Sequence, residues 1–148
     1  MEYFGNKDIL NHHKTGFLSS RKCPADVVLK SYEWAKKQRS EGNCIVCGNH
    51  SQIEKDVFEI LLKGNQPLVL VLPRGLKSRW PKEWLEAIDK NRLLIISPFS
   101  KDVKRVTRET AIKKNKTIIE LSTEIIVGYS SEGGQLADLL KNKTYRHV

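Results

Sequence analysis

Apolar residues along this chain fall into short unbroken blocks, and the stretches between them change to a helical period. Blocks at residues 15–19, 43–47, 67–72, 92–96 and 124–128 have the length of β-strands. The third, PLVLVL, is apolar throughout, as a parallel strand covered on both faces requires. Pro24 suits the first turn of a helix carrying Val28, Leu29, Tyr32 and Ala35 on one face and ending at Gly42. Ser51 caps a helix running to about residue 63, with Ile53, Val57, Ile60 and Leu61 inward and Glu54 in its first turn. Trp80 and Pro81 start a short helix holding Trp84, Leu85 and Ile88. Between residues 101 and 121, Val103, Val106, Thr107, Thr110, Ala111, Ile118 and Leu121 recur at helical spacing, with Arg105, Arg108, Lys113, Lys114 and Lys116 among them. A last helix is expected over about residues 134–140. Residues 1–13 show no period and read as an arm or short cap; residues 141–148 read as a polar tail. The domain proper is expected over residues 14–140.

Strand and helix alternating in this way call for a three-layer α/β/α architecture around a mainly parallel, doubly wound sheet of about five strands. Ligands of such sheets gather outside the carboxyl ends of the strands. The segments that fall there are Ser19, Ser20, Arg21 and Lys22; Gly48, Asn49, His50 and Ser51; Pro73, Arg74 and Gly75; and Ser130 to Gly134. All are rich in small or hydrogen-bonding residues.

Composition narrows the partner. Hydrophobic content of 39% and charged content of 29% fit one globular domain of 148 residues. No run is long enough to span a bilayer, and the first residues lack a basic segment followed by an apolar one, so a cytoplasmic location and no membrane partner are expected. The excess of 26 basic over 17 acidic residues, a net charge of +9, favours a polyanion. Three cysteines, two of them in an apolar run, argue against a disulfide framework. Cys44, Cys47 and His50 are spaced like metal ligands. Residues three apart on a strand face opposite ways, however, and no second ligand pair follows, so they are assigned to the core and no metal is expected. No Ser or Cys has a partner arrangement around His50, and no catalytic residue is assigned. Trp84 is assigned to the core, while Trp80, next to Arg79, is the better candidate for stacking on a base.

The strand-end segments, taken in order, resemble the Rossmann-like domain of the DprA/Smf family, DNA-processing proteins that load recombinase onto single strands, within the wider DprA–LOG superfamily. Phe17 to Lys22 stands where that family has Gly-Ser-Arg. Cys47 to Glu54 is similar to its Ser-Gly-x-Ala-x-Gly-Ile-Asp, and Leu72 to Gly75 followed by Trp80-Pro81 to its Leu-Gly-x-Gly and Tyr-Pro. Lys114 to Ser122 resembles its Arg-Asn-Arg-Ile-Ile-Ala-Gly-Leu-Ser, and Gly133 to Leu136 its Ser-Gly-Ser-Leu turn. Ser19, Gln52, Pro73 and Glu120 replace family glycines, and lysines replace both arginines around Asn115, which keeps charge but loses bidentate geometry.

The resemblance implies a Rossmann-like fold binding single-stranded DNA, another nucleic acid or a nucleotide at the strand-end crest, with no cofactor. It implies that Arg21, Lys114 and Lys116 neutralise phosphates and that Gly48, Gly133 and Gly134 let backbone approach the ligand. Asn49, His50 and Asn115 would add hydrogen bonds, and Ser20, Lys22, Arg74 and Gly75 are counted among the binding residues with them. It admits a homodimer and a recombinase partner without implying either. The alternative is a nucleotide-derived ligand sensor or a LOG-type phosphoribohydrolase, since Glu132 before Gly133-Gly134 resembles the Pro-Gly-Gly-x-Gly-Thr loop of those enzymes. The Pro, the Thr and the catalytic Glu that follows that loop are absent here.

Overall fold

Side chains alternate across each central strand, and this alternation builds two cores on either side of one sheet. The computed structural model describes residues 1–148. Its elements in chain order are β1 (Glu2–Gly5), a 3₁₀ turn (Lys7–Asn11), β2 (Lys14–Leu18), α1 (Ala25–Glu41), β3 (Cys44–Cys47), α2 (Gln52–Leu62), β4 (Leu68–Val71) and α3 (Lys82–Asp89). There follow β5 (Leu93–Ser97), α4 (Arg108–Leu121), β6 (Glu124–Val127), α5 (Gln135–Leu140) and β7 (Arg146–His147). The sheet order is β1-β5-β4-β3-β2-β6-β7. All pairings are parallel except β1 with β5.

Phe17, Ile45, Cys47, Leu68, Leu70, Leu93 and Ile95 project into a core beneath α1, α2 and α3. Leu18, Cys44, Val46, Val69, Val71, Leu94 and Ile96 project into the other, covered by α4, α5 and the 3₁₀ turn. The architecture is therefore the expected three-layer α/β/α, and the five expected strands all form. Cys44 and Cys47 enter opposite cores, as the spacing argued.

Three parts of the chain differ from the sequence reading. The supposed arm supplies an edge strand, β1, and buries Ile9 under the sheet, because Tyr3, Phe4 and Gly5 register against Leu94 to Ile96. The supposed tail adds β7 beside β6, so the sheet has seven strands rather than about five. The basic helix begins only at Arg108: Thr107 and Thr110 form a reciprocal capping box there, and residues 101–107 are irregular. Leu29, expected inward, is 63% exposed.

The helix signals otherwise hold. Gly42 ends α1 with φ 77°, and Ser51 caps α2 in a reciprocal box with Glu54. Arg92 is buried because its guanidinium donates to the carbonyls of Leu61 (3.0 Å), Leu62 (2.8 Å) and Gln66 (3.1 Å), satisfying the end of α2.

Candidate functional site

The chain lays down β2, β3, β4 and β5 in one direction, then reverses. Helix α4 crosses back over β4, β3 and β2 to place β6 on the far side of β2. At such a reversal the segments leaving neighbouring strands part to opposite faces, here α1 to one and α5 to the other, and a crevice opens between them. A groove of about 610 Å³ lies there. It is lined by Ser19 to Lys22 after β2, by His50, Ser51 and Glu54 after β3, by Val106 to Arg108, Ala111, Lys114 and Asn115 of α4 and its approach, and by Ser131 and Gly134 to Leu136 after β6.

Backbone bonds continue past the strand ends and fix its walls. Ser20 N donates to Tyr129 O (2.6 Å), Tyr129 N to Ser19 Oγ (3.2 Å) and Ser131 N to Ser20 Oγ (2.9 Å). The N-termini of α2 and α4 open on the same space, where partial positive charge favours anions.

The floor is an ion pair. Lys114 Nζ lies 2.5 Å from Glu54 Oε2, and both residues are almost fully buried, at 2% and 4% exposure. Glu54 Oε1 also accepts from Ser51 N (3.0 Å) and Ser51 Oγ (2.9 Å). Burial pushes the Glu54 carboxyl upward, but the Lys114 charge and these hydrogen bonds outweigh it, so the group sits below its ordinary value of 4.5. The pair ties α2 on one face of the sheet to α4 on the other, passing over the end of β3. Gly48 lies directly beneath: a β-carbon there would overlap Glu54 Oε2 and stand 2.9 Å from Lys114 Nζ.

Cations stand free along the rim. Arg21, Lys22 and Arg108 are exposed and belong to no ion pair. Arg21 Nη2 sits 3.4 Å from His50 Nε2. His50 is held below its ordinary 6.5, first by burial and then by the nearby Lys114 charge, with Arg21 and Lys55 adding to the effect and Glu54 opposing it. Neutral imidazole can accept the Arg21 N–H, which holds the guanidinium toward the groove.

Of the residues singled out in the sequence, the structure brings Ser20, Arg21, Lys22, His50, Asn115 and Gly134 to one groove. Other expectations need correction. Lys114 points inward, and its charge is already matched by Glu54. Lys116 lies on another face of α4, in a shallow depression with Met1, Pro98 and Glu120. Gly48 is small to admit the ion pair, not a ligand. Asn49 is half-buried but does not line the groove, and Gly133, exposed at φ +71°, serves the turn.

Arg74 and Gly75 share the carboxyl edge but line no part of the groove; Arg74 belongs to a separate cleft two strands away. A β-carbon on Gly75 would overlap the Ser100 carbonyl oxygen, so this glycine serves the packing of two loops. Trp80 is used internally, with ring centroids 5.7 Å from Phe4 and 6.0 Å from Trp84.

Sequence reasoning missed Glu54 as the partner of Lys114, and Thr107 and Arg108 as groove residues. The capping-box spacing from Ser51 to Glu54 placed that carboxylate, but nothing local to it announces a lysine 60 positions away.

Comparison with known proteins follows the fold. The profile of the DNA recombination-mediator protein A family matches residues 1–139. DNA processing protein A from Helicobacter pylori, in a structure concerned with its single-stranded DNA binding mode, superposes with a TM-score of 0.73 at 18% identity over 95% of this chain and 66% of that one. The Streptococcus pneumoniae protein gives 0.76 at 19% identity, over 98% and 53%. The chain thus spans between about half and two thirds of these proteins. A molybdenum cofactor binding protein from Rippkaea orientalis shares the fold more distantly, with a TM-score of 0.55 at 13% identity over 87% and 71%. No curated protein matches the sequence.

Proposed function

The chain belongs to the DNA recombination-mediator protein A family, and from that premise we propose that it binds single-stranded DNA in the groove where the sheet reverses direction. The observation that carries the reading is the unpaired cationic rim of Arg21, Lys22 and Arg108 above a floor whose own charges cancel. An incoming phosphate meets free guanidinium and ammonium groups together with helix N-termini, without having to break an internal ion pair. Ser20, His50, Asn115 and Gln135 line the same space and supply hydrogen bonds to sugar, phosphate or base. The H. pylori relative, concerned with single-stranded DNA, supports the ligand class. The residues that line the groove in this structure all come from one chain. No helix is long and apolar enough to cross a membrane.

A salt titration with a fluorescent oligodeoxythymidine tests it. Three phosphate contacts give a slope of log affinity against log salt of about −2, from roughly −0.7 per contact. Replacing Arg21, Lys22 and Arg108 together by alanine flattens that slope. A flat response in the unaltered protein overturns the reading.

A second reading rests on the groove's volume, which falls in the range of small-ligand sites. A nucleotide or nucleotide-derived molecule could fill it, and competition by mononucleotides against the oligonucleotide separates the two. Hydrolysis of such a ligand has less support, because Glu132, the acid beside the glycine pair, is exposed and lies outside the groove lining.

A further inference from the structure

A second cationic cleft, of about 570 Å³, lies on the same edge of the sheet beyond β4 and β5. Arg74, Lys77, Arg79, Lys101 and Lys104 line it, no carboxylate does, and none of the five belongs to an ion pair. Arg74 Nε is buried with no hydrogen-bond partner in the protein, an arrangement that a folded chain avoids unless something else meets it. The cleft is nonetheless built on a defined backbone. Gly75 N donates to Val103 O (2.8 Å), and Val103 N to Ser100 O (3.1 Å). Ser97 Oγ holds both Arg74 O (2.7 Å) and the turn at Phe99. The loops after β4 and β5 are thereby locked together, and they hold like charges side by side at a cost that a bound anion relieves.

We propose that this cleft is a second phosphate-binding subsite for the same single strand, which runs along the carboxyl edge of the sheet from the groove to β4 and β5. The inference rests on the strand-binding reading of the groove. Two to three strand spacings separate the two places, about 10–15 Å. A stacked strand with a rise of about 3.4 Å covers that span in roughly three to four nucleotides. A dinucleotide is too short for that span and fills the groove alone, and only a longer strand reaches the cleft.

The test compares oligodeoxythymidines of two and twenty nucleotides on the unaltered protein, on a variant carrying Lys77→Ala, Arg79→Ala, Lys101→Ala and Lys104→Ala, and on Arg21→Ala. These four side chains are exposed, so the fold does not depend on them. The quadruple variant is expected to bind the 20-mer on the order of tenfold more weakly, with a salt slope smaller by about 2 to 3. Its affinity for the dinucleotide should stay unchanged. Unchanged 20-mer binding overturns the subsite, as does an equal loss for both lengths. If Arg21→Ala binds both lengths normally while the quadruple variant loses the 20-mer, the groove reading fails and the cleft stands as the binding site. If the unaltered protein binds neither length, both readings fail.

Discussion

The groove and the cleft share one edge of one sheet and the same kind of side chain, yet they differ in how much of their charge is already matched. In the groove, Lys114 is spent on Glu54 and Arg21 is steadied by His50. In the cleft, five cations stand without a partner. The difference follows from position. The groove lies where α2 and α4, on opposite faces, must be joined across the end of β3, and a buried ion pair performs that joining. The cleft lies on loops already joined by backbone hydrogen bonds, so its charges are left over. A tally of lysines and arginines therefore overstates what is available at the first place and describes the second well.

The largest way to break this contrast is at Lys114. Lys114→Met leaves Glu54 buried and unmatched, and should cost about 3–5 kcal/mol in chemical denaturation. Adding Glu54→Gln, which keeps an acceptor for Ser51, should recover most of that loss. A loss below about 1 kcal/mol for the single variant would return Lys114 to the pool of ligand contacts.

Arg21 should behave in the reverse manner. Arg21→Ala should leave stability within about 0.5 kcal/mol and lower oligonucleotide affinity by roughly 10- to 100-fold, the size of a charge-assisted hydrogen bond. Equal effects on folding and binding at both residues would erase the distinction between floor and rim.

Gly48→Ala sharpens the same point from below. Its methyl would displace the ends of Glu54 and Lys114, and a destabilisation of about 1–3 kcal/mol should appear as a lower melting temperature with the rim cations untouched.

The smallest effect is the pH dependence of binding. His50 is held below its ordinary 6.5 in the free protein, so folding stability linked to it is present above that value and is lost as pH falls through the lowered one. A bound phosphate reverses the electrostatic balance at the imidazole and favours its proton. Affinity should accordingly rise as pH drops below about 6.5, by no more than about tenfold. His50→Gln should remove the rise, and a pH-independent affinity in the unaltered protein would detach His50 from the ligand.

The five central strands and the helices between them were legible because their signals are local. An unbroken apolar block such as residues 67–72 has few alternatives, and Gly42 and Ser51 mark helix ends through their own backbone and side-chain chemistry. The edge strands were not legible. Tyr3, Phe4 and Gly5 carry no strand pattern of their own and become a strand by registering against β5, while Arg146 and His147 do so against β6. The start of α4 was misplaced for a related reason: Val103 and Val106 fall at helical spacing, but the capping box at Thr107 and the bond from Gly75 N to Val103 O hold the preceding residues out of the helix.

By itself the order of apolar blocks and small polar turns determined an α/β sheet with its turns gathered at one edge, because each strand and cap depends on residues within a few positions. Only the tertiary structure decided which basic residues on that edge are free. Whether a lysine is a binding group or a buried strut depends on the carboxylate it meets in space, and Lys114 meets its own from 60 positions away, across the end of a strand.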